Sequence, residues 1–241
     1  MSSLAPVHNP NLLYLPGWRS SLRISPLKWP LDLNGTLGVH GALHMLSNQG
    51  HDTERAASQR PMIILIPRDP TEGKSEKWEA HWLHQDAPRL ANRSFLVELY
   101  GAIRRLEIGH FSEVAVAIPE PGLYRLRVES LTPTIIRQDG RGGVFKQRLN
   151  PGDWIGSLHQ AVRRYFREIP WLAEAYVRMD RWQCGSQRYE TKWSTGREPA
   201  FVWGWEGEAN ACGLLALRVV EQMGIGSRVS RGFGRMEIHI C

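Results

Sequence analysis

The chain has no long apolar run, few cysteines and none of the common nucleotide-loop spacings, and each absence excludes something. No clean apolar stretch is longer than Met62–Ile66, far short of the roughly 20 residues that a membrane helix requires. Residues 1–15 hold prolines and asparagines rather than a basic region followed by an apolar core, so no secretory signal is expected. The cysteines, Cys184, Cys212 and Cys241, are odd in number and widely spaced. They suit neither a disulfide framework nor a cysteine zinc site, and a reducing, cytoplasmic setting is the expectation. Low-complexity tracts are absent, as are a Ser-His-Asp order, a paired-carboxylate signature and a flavin or nicotinamide fingerprint. No cofactor is expected.

What is present is a basic, arginine-rich second half. A chain of 241 residues fits one large domain or two of about 100–130 residues. Residues 1–120 carry 12 Lys/Arg against 12 Asp/Glu, and residues 121–241 carry 18 against 12, so the second half holds the whole net charge of +6. Of the 30 basic residues 25 are arginine, whose planar fork meets phosphate at two points and stacks on bases. Trp171, Trp182, Trp193, Trp203 and Trp205 are interleaved with this charge. Nucleic acid, a polyanion with faces to stack on, is the partner such a composition fits.

Periodicity gives two successive units. Residues 20–25 alternate as a strand, and Val39, Ala42, Leu43 and Leu46 make one face of a helix over 36–46. Strands are expected at 62–67, 77–84 and 111–119, with a helix over 95–107 (FLVELYGAIRRLE). The second half repeats the order: a strand at 122–130, a helix over 154–169 capped by Asp153, strands at 187–194 and 200–208, a helix at 211–223 and a strand at 235–240. Two βαββαβ units predict an α+β protein of tandem ferredoxin-like domains with antiparallel sheets, residues 1–120 and 121–241, divided near the PEPG of 119–122.

The stretch GIGSRVSRGFGR, residues 224–235, resembles a phosphate loop at first sight. Phosphate loops of nucleotide sites run from strand to helix, whereas here a helix precedes and a strand follows. Val229 also stands where a third glycine belongs, and no GK[ST] is present. Gly224 suits a helix C-cap. The remaining Gly226, Gly232 and Gly234, with Arg228, Arg231 and Arg235, allow a backbone to approach a phosphodiester closely, with arginine charge beside it. Two further basic features accompany the loop. On helix 154–169 a stripe of Gln160, Arg163, Arg164 and Arg167 opposes the apolar stripe of Ile155, Leu158, Val162, Tyr165 and Ile169. Residues 134–148 add Arg137, Arg141, Lys146 and Arg148 around Gly140, Gly142 and Gly143, as a basic hairpin.

His40 and His44, one turn apart on the first helix, are the candidates for chemistry. HGALH lacks the glutamate of HExxH and no third ligand is evident, so a metal site is not expected. Histidine, with an ordinary pKa of about 6.5, suits metal-free RNA cleavage, as base towards the 2′-hydroxyl or acid towards the leaving 5′-oxygen. An arginine would offset the charge of the pentacoordinate phosphate. Arg23, at the end of the first strand, is placed to approach the first helix across the sheet edge, with Tyr14 and Arg19 as weaker candidates.

ESLTPTIIR (129–137), DWIGSLHQAVRRYFR (153–167), VWGWEG (202–207) and the closing GIGSRVSRGFGR resemble the RAMP superfamily of CRISPR-associated proteins, and more closely its repeat-processing endoribonucleases. The resemblance is clear over 122–241 and loose before it; the arginine-rich character is similar to divergent type IV versions. It implies two ferredoxin-like folds, a CRISPR repeat hairpin as partner, and metal-independent cleavage to a 2′,3′-cyclic phosphate. A histidine on or near the first helix, matched best by His44 and next by His40, is implied as the proton-transfer residue. The competing readings are a non-catalytic RAMP subunit that holds guide RNA among other effector subunits, and a small-molecule enzyme with a phosphate loop.

Overall fold

The computed structural model describes residues 9–28, 39, 42–43, 46, 63–67, 74–83, 86–99, 102–137, 145–166, 169–190, 197–227, 229 and 233–241. Five strands build a first antiparallel sheet: β1 (Leu12–Lys28), β2 (Ile63–Pro67), β3 (Lys74–Trp82), β4 (Arg93–Leu99) and β5 (Ala102–Ala117), in the order β2-β3-β1-β5-β4. A second sheet contains β6 (Leu123–Ser130), β7 (Val177–Glu190), β8 (Arg197–Asn210) and β9 (Met236–Ile240), in the order β7-β8-β6-β9. Helix α1 (Pro151–Tyr165) follows β6, and α2 (Ala211–Met223) lies between β8 and β9. The second unit is thus β6-α1-β7-β8-α2-β9, with its first strand between its third and fourth, the ferredoxin-like order.

The first unit keeps this arrangement through β2-β3-β1-β5 and departs from expectation at one place. Residues 95–107 are not a helix but the hairpin of β4 and β5, paired from Arg93↔Ile108 to Leu99↔Ala102. The period is two rather than 3.6: Val97, Leu106 and Ile108 are buried while Leu96 and Ile103 are exposed. Two residues, Tyr100 and Gly101, separate the strands, and a glycine inside a helix would cost about 1 kcal/mol relative to alanine. β4 therefore adds an edge strand where a second helix was expected.

The described helical positions of the first helix, Val39, Ala42, Leu43 and Leu46, pack with Leu22, Ile24, Trp78, Leu106 and Ile108 on one face of the first sheet. The other core lies between the second sheet and α1 and α2, and includes Leu15, Val114 and Val116 from the first sheet. The two units are therefore joined by shared apolar burial.

Helix ends follow their caps. α1 is capped by Asn150, whose side chain accepts from the Asp153 backbone N–H, rather than by Asp153 itself; asparagine's side-chain oxygen satisfies an N–H that the helix leaves open. It also ends at Tyr165, short of the expected 169. Asn210 caps α2 in the same way, accepting from the Gly213 N–H, and Gly224 ends that helix at φ 83°, as its sequence position suggests.

Candidate nucleic-acid interface

Much of the basic charge of the second unit is already offset. On the face of the second sheet away from the helices, Arg178 pairs with Asp180 (3.0 Å) and Glu208 (3.2 Å), and Arg181 with Glu206 (3.2 Å). Arg127 donates to Glu129 at 2.7 Å and Arg125 stands 4.0 Å from Asp180. These carboxylates raise Arg127 and Arg178 above the ordinary arginine pKa, the hydrogen bonds that the arginines donate to Glu129 and Asp180 being the largest causes. A face of alternating sign offers little to a polyanion.

The uncompensated arginines lie elsewhere. Arg137, Arg148 and Arg163 are exposed, and none has a carboxylate partner among the described residues. Arg137 sits 5.9 Å above the ring of Phe145, across an isolated bridge between those residues. Arg164 is half-buried and donates to the Gly226 carbonyl at 3.2 Å, tying the last turn of α1 to the glycine loop. Ser227 pairs in turn with Ile135. The end of α1, the glycine loop and residues 134–137 therefore converge. His159, one turn before Arg163, is held below the ordinary histidine value, first by burial and then by Arg163; no sequence spacing had singled it out.

Several expected contacts prove to be internal. Lys146 is bound to Asp153 at 2.6 Å, beside the N-terminus of α1. Arg235 is buried; its backbone N–H donates to Thr132 Oγ1 (2.9 Å) and its guanidinium to the Gln222 carbonyl (2.8 Å). A Cβ on Gly234, at φ 71°, would stand 1.8 Å from the Ile225 carbonyl, and one on Gly226, at φ 83°, 2.6 Å from that of Ile135. These glycines let two backbone segments touch, so their first duty is packing. Trp203 and Trp205 are buried too, edge-on to Trp154 at 5.0 and 5.6 Å, and Trp182 stacks on Trp203. They are core side chains rather than free stacking platforms, because β8 turns them under α1. His40, His44, Arg141, Arg167, Arg228, Arg231, Gly232 and Trp193 lie outside the described residues.

Where the units meet, a buried polar seam forms. Arg19 donates to Gln222 Oε1 at 2.8 Å and stands 3.6 Å from Glu79. His81, wholly buried, has Nε2 2.7 Å from the Pro16 carbonyl; that nitrogen carries the proton, since a carbonyl only accepts. Burial first, then the charges of Arg19 and Arg235, hold His81 down at about 4, against the hydrogen bond to Pro16.

Beyond the seam the same face of the first sheet is open. A cavity of about 580 Å³ there is lined by Ser21, Arg23, Glu79, Asn92, Ser94, Glu107 and their neighbours. Arg23 alternates with the buried Leu22 and Ile24, so it stands on the opposite face from the described positions of the first helix. Among the described residues Arg23 makes no approach to that helix across the sheet edge. Among the described residues no group of three or more His, Cys, Asp or Glu side chains is placed to hold a metal ion, and none of the described helices is long and apolar enough to cross a membrane.

Neither a family model nor a curated protein matches the sequence. Solved structures do. A Cas6 product complex is 18% identical at a TM-score of 0.57, covering 92% of this chain and 99% of that one. The chain has the fold of the Cas6 proteins. A Cas6 of Thermus thermophilus is similar at 13% identity and a TM-score of 0.50, covering 94% of this chain and 99% of its own. A Cas6-related protein from Pyrococcus furiosus is similar at 14% and 0.50, over 92% and 98%. The tandem ferredoxin-like architecture read from the sequence is therefore the one found, with β4 as the addition.

Proposed function

We propose that the protein is a metal-independent endoribonuclease that binds a CRISPR repeat hairpin and cleaves it to mature guide RNA. The observation that carries this reading is the Cas6 fold over 92% of the chain. It is supported by Arg137, Arg148 and Arg163, exposed arginines that no described carboxylate offsets. Arg137, Arg148, Arg163 and Arg164, with Arg141, Arg167, Arg228 and Arg231, are the proposed backbone contacts. Residues 1–120 and 121–241 are the proposed domains, the cytoplasm is the proposed setting, and other CRISPR effector subunits are proposed further partners.

In the reaction a base takes the 2′-hydroxyl proton and O2′ bonds to the adjacent phosphorus. The bond from phosphorus to the 5′-oxygen breaks, and an acid protonates that oxygen. The products are a 2′,3′-cyclic phosphate and a 5′-hydroxyl. His44, and next His40, are the proposed proton-transfer residues, each able to serve either role near neutrality. Arg23 is the arginine proposed to offset charge on the RNA phosphate.

The test is repeat RNA incubated with purified protein in EDTA, beside RNA with a 2′-deoxy at the scissile position. Cleavage of the first alone supports the reading. Binding without cleavage would make the protein a subunit that only holds RNA, and neither binding nor cleavage would refute both.

A further inference from the structure

The cavity on the open face of the first sheet is built from a cross-strand row. Arg23 of β1 lies opposite Glu107 of β5, which lies opposite Ser94 of β4; Ser21 lies opposite Glu79 of β3. Residues directly opposite in an antiparallel pair share a face. At about 580 Å³ the space falls within the roughly 300–1,000 Å³ of small-ligand sites. The register shifts between Ser20 and Leu22 beside Gly109, where a Cβ would stand 2.2 Å from Ser21 Oγ.

Its chemistry is mixed. Arg23 is exposed and has no ion-pair partner among the described residues. Glu107 is half-exposed and steadied by Arg105 at 3.0 Å, which also donates to Ser94 Oγ at 3.2 Å. Arg93 also lines the space, and Glu107 and Glu79 stand against Arg105 and Arg19, so it offers guanidinium donors and carboxylate acceptors side by side. A ligand that suits the row must bring negative charge at one end and N–H donors at the other, as a nucleotide does. A carboxylate accepts at both oxygens, and guanine is the base with two adjacent Watson–Crick N–H donors, N1–H and N2–H.

We propose that this row is a reading pocket for one unpaired guanine nucleotide of the bound RNA. Arg23 holds its phosphate, Glu107 accepts from N1–H and N2–H, and the Ser21 and Ser94 hydroxyls border it. The proposal rests on the reading of the protein as RNA-binding, and adds to it a base preference at a defined place.

The experiment compares fluorescence anisotropy of two labelled nonamers, U4GU4 and U4IU4, with the full chain. Inosine lacks only the 2-amino group. The wild-type protein is expected to favour the guanine RNA by about tenfold, the scale of one charged hydrogen bond. Glu107→Gln, which removes the charged acceptor of both N–H groups, is expected to weaken binding of both RNAs and to cut the preference to about twofold or less. Ser94→Trp, which fills the groove from β4, is expected to do the same. Equal binding of both RNAs by the wild type overturns the pocket and leaves RNA binding standing, as does a preference that persists in either variant. Binding of neither RNA overturns the pocket, and the RNA-binding reading falls with it only where repeat RNA also fails to bind.

Discussion

Replacing Gly234 with alanine asks whether the glycine loop exists for the fold or for a ligand. The new Cβ would stand 1.8 Å from the Ile225 carbonyl oxygen, and the residue would keep a φ of 71°. The left-handed conformation costs alanine about 1–2 kcal/mol. The overlap is with backbone, so the two segments must part, at about 1–3 kcal/mol for an overpacked interior. Parting also weakens two 2.9 Å hydrogen bonds, Ile225 N–H to the Gly234 carbonyl and Gly234 N–H to that of Pro133, together worth about 1 kcal/mol. The sum is roughly 3–6 kcal/mol, and at about 2–4 °C per kcal/mol for a chain this size the Tm should fall by roughly 10 °C or more. Gly156→Ala is the internal control. Its Cβ would meet nothing within 4 Å, on an exposed face of α1, so that variant should gain about 0.5–1 kcal/mol. Thermal unfolding followed by circular dichroism reads both. A Gly234→Ala protein that melts within about 2 °C of wild type yet loses RNA affinity would refute the packing argument and return the glycine to the RNA.

Arg163→Ala and Arg148→Ala should each weaken RNA binding and reduce the slope of log affinity against log salt by about one. Arg181→Ala, whose charge Glu206 offsets at 3.2 Å, should leave the slope within error; equal slopes for all three variants would refute the division between free and paired arginines. His44→Ala should slow single-turnover cleavage of repeat RNA by about 10²–10⁴, and a loss below about threefold removes it from the chemistry. His81 sets an acid limit on stability. Neutral in the fold with a pKa of about 4, it is protonated in the unfolded chain below about 6.5, so stability is lost as pH falls from about 6.5 to about 4, on the order of 3 kcal/mol in all. Urea unfolding at both ends of that window should show a smaller difference in His81→Gln, and an unchanged difference would sink the assignment.

Local pattern alone determined much of the second unit. The alternation of β6, the apolar stripe of α1, the glycine that ends α2 and the confinement of the net charge to residues 121–241 are all legible in the chain. Each depends on neighbours within a few residues, where period and cap chemistry act. The segment 95–107 shows the limit. Its apolar residues satisfy both a helical and an alternating reading, and pairing of β4 with β5 is what settles it. Side-chain fate went further beyond the sequence. Trp203, Trp205 and Arg235 look like ligand contacts in a basic stretch, but the packing of β8 under α1 and of the loop on residues 133–135 turns them inward. Arg125, Arg127, Arg178 and Arg181 counted towards a basic surface until strand register set acids beside them. Arg23 and the first helix are near in sequence, yet a single alternation puts them on opposite sides of the first sheet. Composition and periodicity thus determined the architecture and the sign of the charge. Tertiary structure decided which charges are free and which faces they share, because pairing, register and burial join residues that no local window contains.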